Sequence, residues 1–154
     1  TEIKEKNPKI KLHMIGKLQT NKVKFAVKLF DYIHSVDSEK LAKKISDESI
    51  KINKKIKIFI QVNIGEERQK SGADKDHLKN LIEFCKNLNL DLVGLMCIPP
   101  MELNSEKFFK DMDALTKNYF FEDLSMGMSS DYIQAAKNSA TYLRIGSGIF
   151  GKRS

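Results

Sequence analysis

The feature that most constrains this chain is a switch in apolar period that recurs along its whole length. Short apolar-rich runs stand at 10–15, 32–36, 56–62, 92–98, 120–126 and 142–145, and between them lie stretches with helical spacing at 20–29, 38–53, 74–88, 105–118 and 130–139. Such runs read as buried strands, and the spaced stretches as amphipathic helices. A strand regained after each helix must run parallel to the one before it, because the crossover returns the chain to the same edge of the sheet. The chain therefore reads as α/β, built from consecutive βα units. The count of six strands alone does not choose between an open doubly wound sheet and a barrel.

The helix starts carry capping chemistry. Ser38 precedes Leu41 and Ile45, Asp74 precedes Leu78, Leu81 and Ile82, and Ser130 or Asp131 precedes Ile133. A side-chain oxygen at these positions can accept from the first orphan amides. The irregular residues fall together at the other strand ends: Gly16, Asn63-Ile64-Gly65, Pro99-Pro100, Met126-Gly127-Met128-Ser129 and Gly146-Ser147-Gly148 each follow an apolar run. In barrels and open sheets alike, that carboxyl face is where ligands bind.

Charge and composition exclude several functions. The formal charge is +7 over 154 residues, but only Arg68, Arg144 and Arg153 are arginines, and the lysines spread evenly from Lys4 to Lys152. A nucleic-acid reader would show arginine forks, stacked aromatics or a dense basic stripe, so the charge reads as a solvated lysine surface. No window approaches the ~18 apolar residues of a membrane span. The first residues are polar and lack a signal-peptide core, so the chain reads as cytoplasmic and as beginning partway through a longer protein. Cys85 and Cys97 stand singly, which suits a reducing compartment. His13, His34 and His77 have no partner at metal-ligand spacing, so no metal is expected.

Two features could carry chemistry. Leu124 to Asp131, followed one helix later by Arg144 to Gly151, places glycines and small hydroxyls after two consecutive strands. Backbone amides, hydroxyls and a helix start suit an anion, and barrels often hold phosphate on the loops after their last two strands. The plainer reading of Gly127 and Gly146 is tight turning, with the serines as caps. Arg144 lies inside an apolar strand, so it must meet a carboxylate, a carbonyl or a ligand acceptor. His13 alternates with Leu12 and Met14, which on spacing alone reads as a core histidine.

Taken together, segments in order along the chain resemble one family, the pyridoxal 5′-phosphate homeostasis proteins, single-domain relatives of the alanine racemase barrel. The matching stretches are His13 to Lys22, His34 to Ser38, Val62 to Gly65 with Lys70-Ser71-Gly72, Gly94 to Pro100, Leu124 to Asp131 and Arg144 to Gly151. The resemblance implies a (β/α)₈ TIM-type barrel of fold type III, with residues 1–154 forming one partial domain that supplies strands three to eight. It also implies bound pyridoxal phosphate. Arg144 matches the arginine that meets the pyridine nitrogen, where a cation keeps that nitrogen unprotonated and weakens the ring as an electron sink. Ser129, Gly146 and Ser147 match phosphate-binding positions, Ser147 standing where threonine is common. Met126, Gly127 and His13 match positions beside the cofactor. The family's Schiff-base lysine lies on its first strand, which has no counterpart in this chain, and Lys17 and Lys22 match the loop after the third strand instead.

The resemblance thus implies buffering or delivery of the cofactor, without catalytic turnover, with pyridoxal-phosphate-dependent enzymes as clients and a monomeric full-length protein. Two rivals remain. One is a racemase or decarboxylase on the same barrel, which would append a second, β-rich domain. The other is an incomplete barrel that binds only phosphate and associates through its open edges.

Overall fold

The computed structural model describes residues 2–67, 71–100 and 104–151. Arg68, Lys70, Lys152 and Arg153 of the sequence reading lie outside them. Six parallel strands, β1 (His13–Met14), β2 (Tyr32–Val36), β3 (Lys57–Gln61), β4 (Asp91–Met96), β5 (Asp123–Met128) and β6 (Tyr142–Arg144), form one sheet in sequence order. Helices α1 (Glu2–Lys6), α2 (Val23–Leu29), α3 (Glu39–Lys51), α4 (Lys75–Lys86), α5 (Ser105–Asn118), α6 (Tyr132–Lys137) and α7 (Ser147–Phe150) precede, join and follow them. A 3₁₀ turn at Thr20–Lys22 leads into α2.

Sequential strand order with every pair parallel is the winding of a barrel, because a doubly wound sheet must reverse its order once. The side chains show the curl directly. Strands spaced about 4.8 Å apart would put the first and sixth of a flat sheet about 24 Å apart. Yet the rings of His13 on β1 and Tyr142 on β6 lie with centroids 5.7 Å apart. The sheet is bent so far that its outermost strands face each other across the interior.

Alternation along each strand separates this interior from the helix layer. On β3, Ile58 and Ile60 are buried in the apolar cluster with Leu41 and Ile45 of α3 and Leu78 and Ile82 of α4. Each such side chain stabilises the fold by about 1.5–3 kcal/mol. Phe59 takes the opposite face. Close strand contact explains Gly94, since a Cβ there would fall on the Asp123 carbonyl oxygen. No helix among the described residues is long and apolar enough to cross a membrane.

The elements depart from the sequence expectation in several places, among them the helices α1 and α7, which it did not include. The first strand shrinks to two residues because the backbone at Leu12 is engaged by the next turn: Leu12 N donates to the Asp31 carboxylate at 2.9 Å, and Asp31 N donates to Leu12 O at 2.8 Å. The fifth strand starts at Asp123 rather than at 120. Phe120 adopts a left-handed φ of 58° and donates to Lys117 O, in the turn that follows α5. Gly127 consequently lies within β5, not after it. Of the expected caps, Ser38 Oγ accepts from Leu41 N at 3.4 Å. Asp74 occupies its N-cap position without a capping bond. Asp131 reaches backwards instead, accepting from Met128 N at 2.7 Å.

Candidate functional site

Because the strands are parallel, their carboxyl ends share one face of the sheet. There the loop after β3 meets the loop after β4, close enough that a Cβ on Gly65 would lie 2.7 Å from Pro100. Below this rim the interior is lined by rings. His13 stacks on Tyr32 at 4.1 Å, His34 stacks on Phe59 at 4.2 Å, and Tyr142 meets Phe59 edge-on at 5.3 Å. Burial, a hydrogen bond with Tyr32 and the nearby Asp123 push the Tyr142 hydroxyl up to about 12, so it stays protonated.

Arg144 ends β6 with 6 % of its surface exposed. Nη1 donates to Ser125 Oγ at 2.7 Å, Nη2 donates to the Cys97 carbonyl at 2.8 Å, and Nε approaches Met128 Sδ at 3.4 Å. Of the alternatives open on sequence, the arginine has therefore met a carbonyl and a hydroxyl. Among the described residues no carboxylate pairs with it; Asp131 acts on it only through its field. Burial works against its charge, but a guanidinium remains cationic in proteins. It has five N–H groups, and the bonds above engage only part of them.

Ser125 carries the contact onward. Its Oγ lies 2.9 Å from His34 Nδ1, and His34 Nε2 lies 2.9 Å from His13 Nδ1. Burial, then His13 and Arg144, hold His34 down to about 3, and burial also lowers His13 against the opposing charge of Asp31. Both imidazoles are neutral at pH 7.

A second group forms at the rim. Ser129 Oγ accepts from Gly146 N at 3.1 Å and Gly148 N at 3.2 Å, tying the loop after β5 to the loop after β6. Ser147 is the first residue of α7, directly between those amides. A Cβ on Gly146 would meet nothing within 4 Å, so the backbone of this loop faces open space. Gly127 supports the arrangement: its φ is +89°, and a Cβ there would lie 2.5 Å from Ala135 Cβ of α6.

The residues singled out from sequence thus separate into an interior pair, Arg144 and His13, and a rim set, Ser129, Gly146 and Ser147. Met126 belongs to neither by its side chain, which is fully buried in the apolar cluster. Sequence reasoning passed over Ser125 and His34 as links. Their signal was the two-residue alternation, which puts Tyr32 with His34 on one face and sets Ser125 opposite its apolar neighbours Leu124 and Met126.

A parallel barrel sheet with a buried cation inside and an amide-rich rim after its last strands is the alanine racemase N-terminal domain, and the model of that family matches residues 1–154. Within it, the chain belongs to the family of pyridoxal phosphate homeostasis proteins. The relative of that name from Aquifex aeolicus is 40 % identical over 151 residues, covering 92 % of this chain and 66 % of the relative. The one from Vibrio cholerae is 36 % identical over 160 residues, covering 97 % and 68 %. The chain thus spans about two thirds of the length of these relatives. Among solved structures, PipY of Synechococcus elongatus with PLP bound superimposes with a TM-score of 0.89 at 30 % identity, over 97 % of this chain and 74 % of that one. An alanine racemase of Clostridium difficile has a TM-score of 0.73 at 16 % identity and shares the fold.

Proposed function

We propose that this chain holds pyridoxal 5′-phosphate and belongs to a protein that buffers or delivers the cofactor, without turnover of its own. The observation that carries this reading is the buried Arg144 guanidinium, fixed between Ser125 and Cys97 with N–H groups left for an acceptor in the barrel interior. The residues suit the group. The amides of Gly146 and Gly148 with the hydroxyls of Ser129 and Ser147 are donors of the kind a phosphate takes, and the space at Gly146 admits it. Gly127 and the Met126 backbone border the same site, and His13 with its stacked Tyr32 offers an aromatic wall to a ring.

When bound, pyridoxal phosphate supplies an electron sink, which a cation opposite its pyridine nitrogen weakens. Arg144 thus favours carriage over chemistry. Enzymes dependent on the cofactor are the natural recipients. We place the protein in the cytoplasm, in keeping with two free buried thiols, Cys85 and Cys97, each pushed up to about 12 chiefly by burial.

The test is calorimetric titration with pyridoxine 5′-phosphate, whose alcohol in place of the aldehyde prevents reaction with surface lysines. One-to-one binding, weakened about tenfold or more in Arg144→Gln, is expected. Inorganic phosphate binding as well as the vitamer would leave only the phosphate reading, and no binding of either would overturn both.

A further inference from the structure

The hydrogen bonds running from Arg144 to His13 have a direction, and chemistry sets it. A guanidinium only donates, so the Ser125 hydroxyl accepts from Arg144. Among the described residues, the one other partner of that oxygen is His34 Nδ1. Ser125 is fully buried, and turning its proton away from His34 would leave a buried donor without an acceptor. His34 Nδ1 therefore accepts, and its proton stands on Nε2, which faces His13 Nδ1. His13 in turn accepts at Nδ1 and keeps its own proton on Nε2.

We propose that Ser125, His34 and His13 form a polarised relay in which proton uptake by His13 reverses every hydrogen bond back to Ser125 and frees its hydroxyl as a donor beside Arg144. The sequence of events is forced by the atoms. A second proton on His13 must go to Nδ1, which then donates to His34 Nε2. That proton is the one His34 Nε2 gives up; His34 Nδ1 takes the Ser125 hydroxyl proton in exchange and donates back to Ser125 Oγ. The serine oxygen receives a proton from the ligand side, so the added proton is carried along the chain one bond at a time. That oxygen now accepts from both sides, and its proton turns to whatever acceptor Arg144 holds. The charge comes to rest on His13 because its ring is only half-buried at the outer end of the chain, whereas His34 is enclosed.

The groups around His13 are consistent with titration there. Asp31, from the turn before β2, favours its charge and is itself paired with Lys4 of α1 at 2.8 Å. Tyr32 and Tyr142 flank the ring, Lys57 of β3 sits 5.4 Å from the Tyr32 centroid, and Arg144 lies beyond His34 and Ser125. His13, His34 and Ser125 are positioning residues in this scheme. The link to a ligand acceptor rests on the proposed role of Arg144 above; the relay itself does not.

Long-range ¹H–¹⁵N spectra of ¹⁵N-histidine-labelled chain read the tautomers, with exposed His77 as reference. At pH 7 both His34 and His13 should carry their proton on Nε2, and as His13 becomes charged His34 should switch to Nδ1. A Nδ1-protonated His34 at pH 7, or no switch while His13 titrates, overturns the relay. In Ser125→Ala the switch should lose its tautomer preference. In titrations with pyridoxine 5′-phosphate, the wild type should gain about three- to tenfold more affinity than Ser125→Ala across the same pH interval. Identical pH dependence in both overturns the coupling. Absence of binding in both would overturn the proposed function and with it the ligand link, while the tautomer spectra decide the relay itself.

Discussion

Arg144 and Cys97 are 47 residues apart, and the guanidinium of one donates to the carbonyl of the other at 2.8 Å. That bond ties the end of β6 to the end of β4 across the intervening β5. The cation is thereby fixed by main chain, so its position does not depend on another charged side chain that could itself titrate.

Arg144→Lys should expose how much of this depends on the fork. A lysine keeps the charge but has no planar pair of donors for Ser125 and Cys97 at once. We expect a loss of about 1.5–3 kcal/mol in urea unfolding, the usual value of a hydrogen bond to a charged group. Affinity for pyridoxine 5′-phosphate should fall with it. Unchanged stability would mean that Cys97 O and Ser125 find other donors.

Two glycine substitutions should have opposite profiles. Gly127→Ala meets both a left-handed φ and Ala135, and should destabilise by about 1–3 kcal/mol. Gly146→Ala meets nothing and has an ordinary negative φ of −109°, so thermal unfolding should not move. The methyl should nevertheless intrude on the anion loop and weaken phosphate-ester binding. Equal binding by Gly146→Ala and wild type would move the phosphate elsewhere.

Replacing Ser129 with Ala removes the acceptor shared by the Gly146 and Gly148 amides. Hydrogen exchange at those two amides should accelerate, with little change at β3. The double variant Ser129→Ala, Ser147→Ala should lose up to a few kcal/mol of ligand binding, each hydroxyl contributing roughly 1.5–3 kcal/mol to a charged group. Unchanged retention would exclude both from the site.

His34 makes stability depend on pH with a definite sign. Its folded value is held at about 3, chiefly by burial, against 6.5 for an ordinary imidazole. Between those values the unfolded chain binds the extra proton and the folded chain does not. Stability is therefore complete above pH 7 and is lost as pH falls, by about 3 kcal/mol at most on reaching pH 4. His13 adds to the same slope. Urea midpoints from pH 4 to 7 should follow this course, and His34→Gln should flatten it while lowering the plateau.

The strand and helix order was legible because each element carries its own period. Ile58 and Ile60 announce a strand whatever lies around them, and Leu78, Leu81 and Ile82 announce a helix. The start of β5 was not legible: Phe120 and Phe121 look like strand residues, but their amides bond back to Lys117 and Thr116 in the turn that follows α5. The short first strand escaped for a related reason, since Asp31, nineteen residues on, captures the Leu12 amide. The rim residues were readable from glycines and hydroxyls at strand ends. The Arg144 to His13 chain was not, because it joins β6, β5, β2 and β1 through contacts that exist only once the sheet has curled.

The bond from Ser129 to the two glycine amides means that the rim is self-complementary. At the proposed phosphate site, an incoming oxygen would take over those amides from Ser129 Oγ, and the displaced hydroxyl, still tethered beside them, would turn and donate to the ester. Weak monoanions, offering little more than the hydroxyl does, gain little by the exchange, whereas a dianion gains charge-assisted bonds that a neutral oxygen cannot match. On the proposed reading, the loop would therefore favour a doubly charged phosphate ester over singly charged anions.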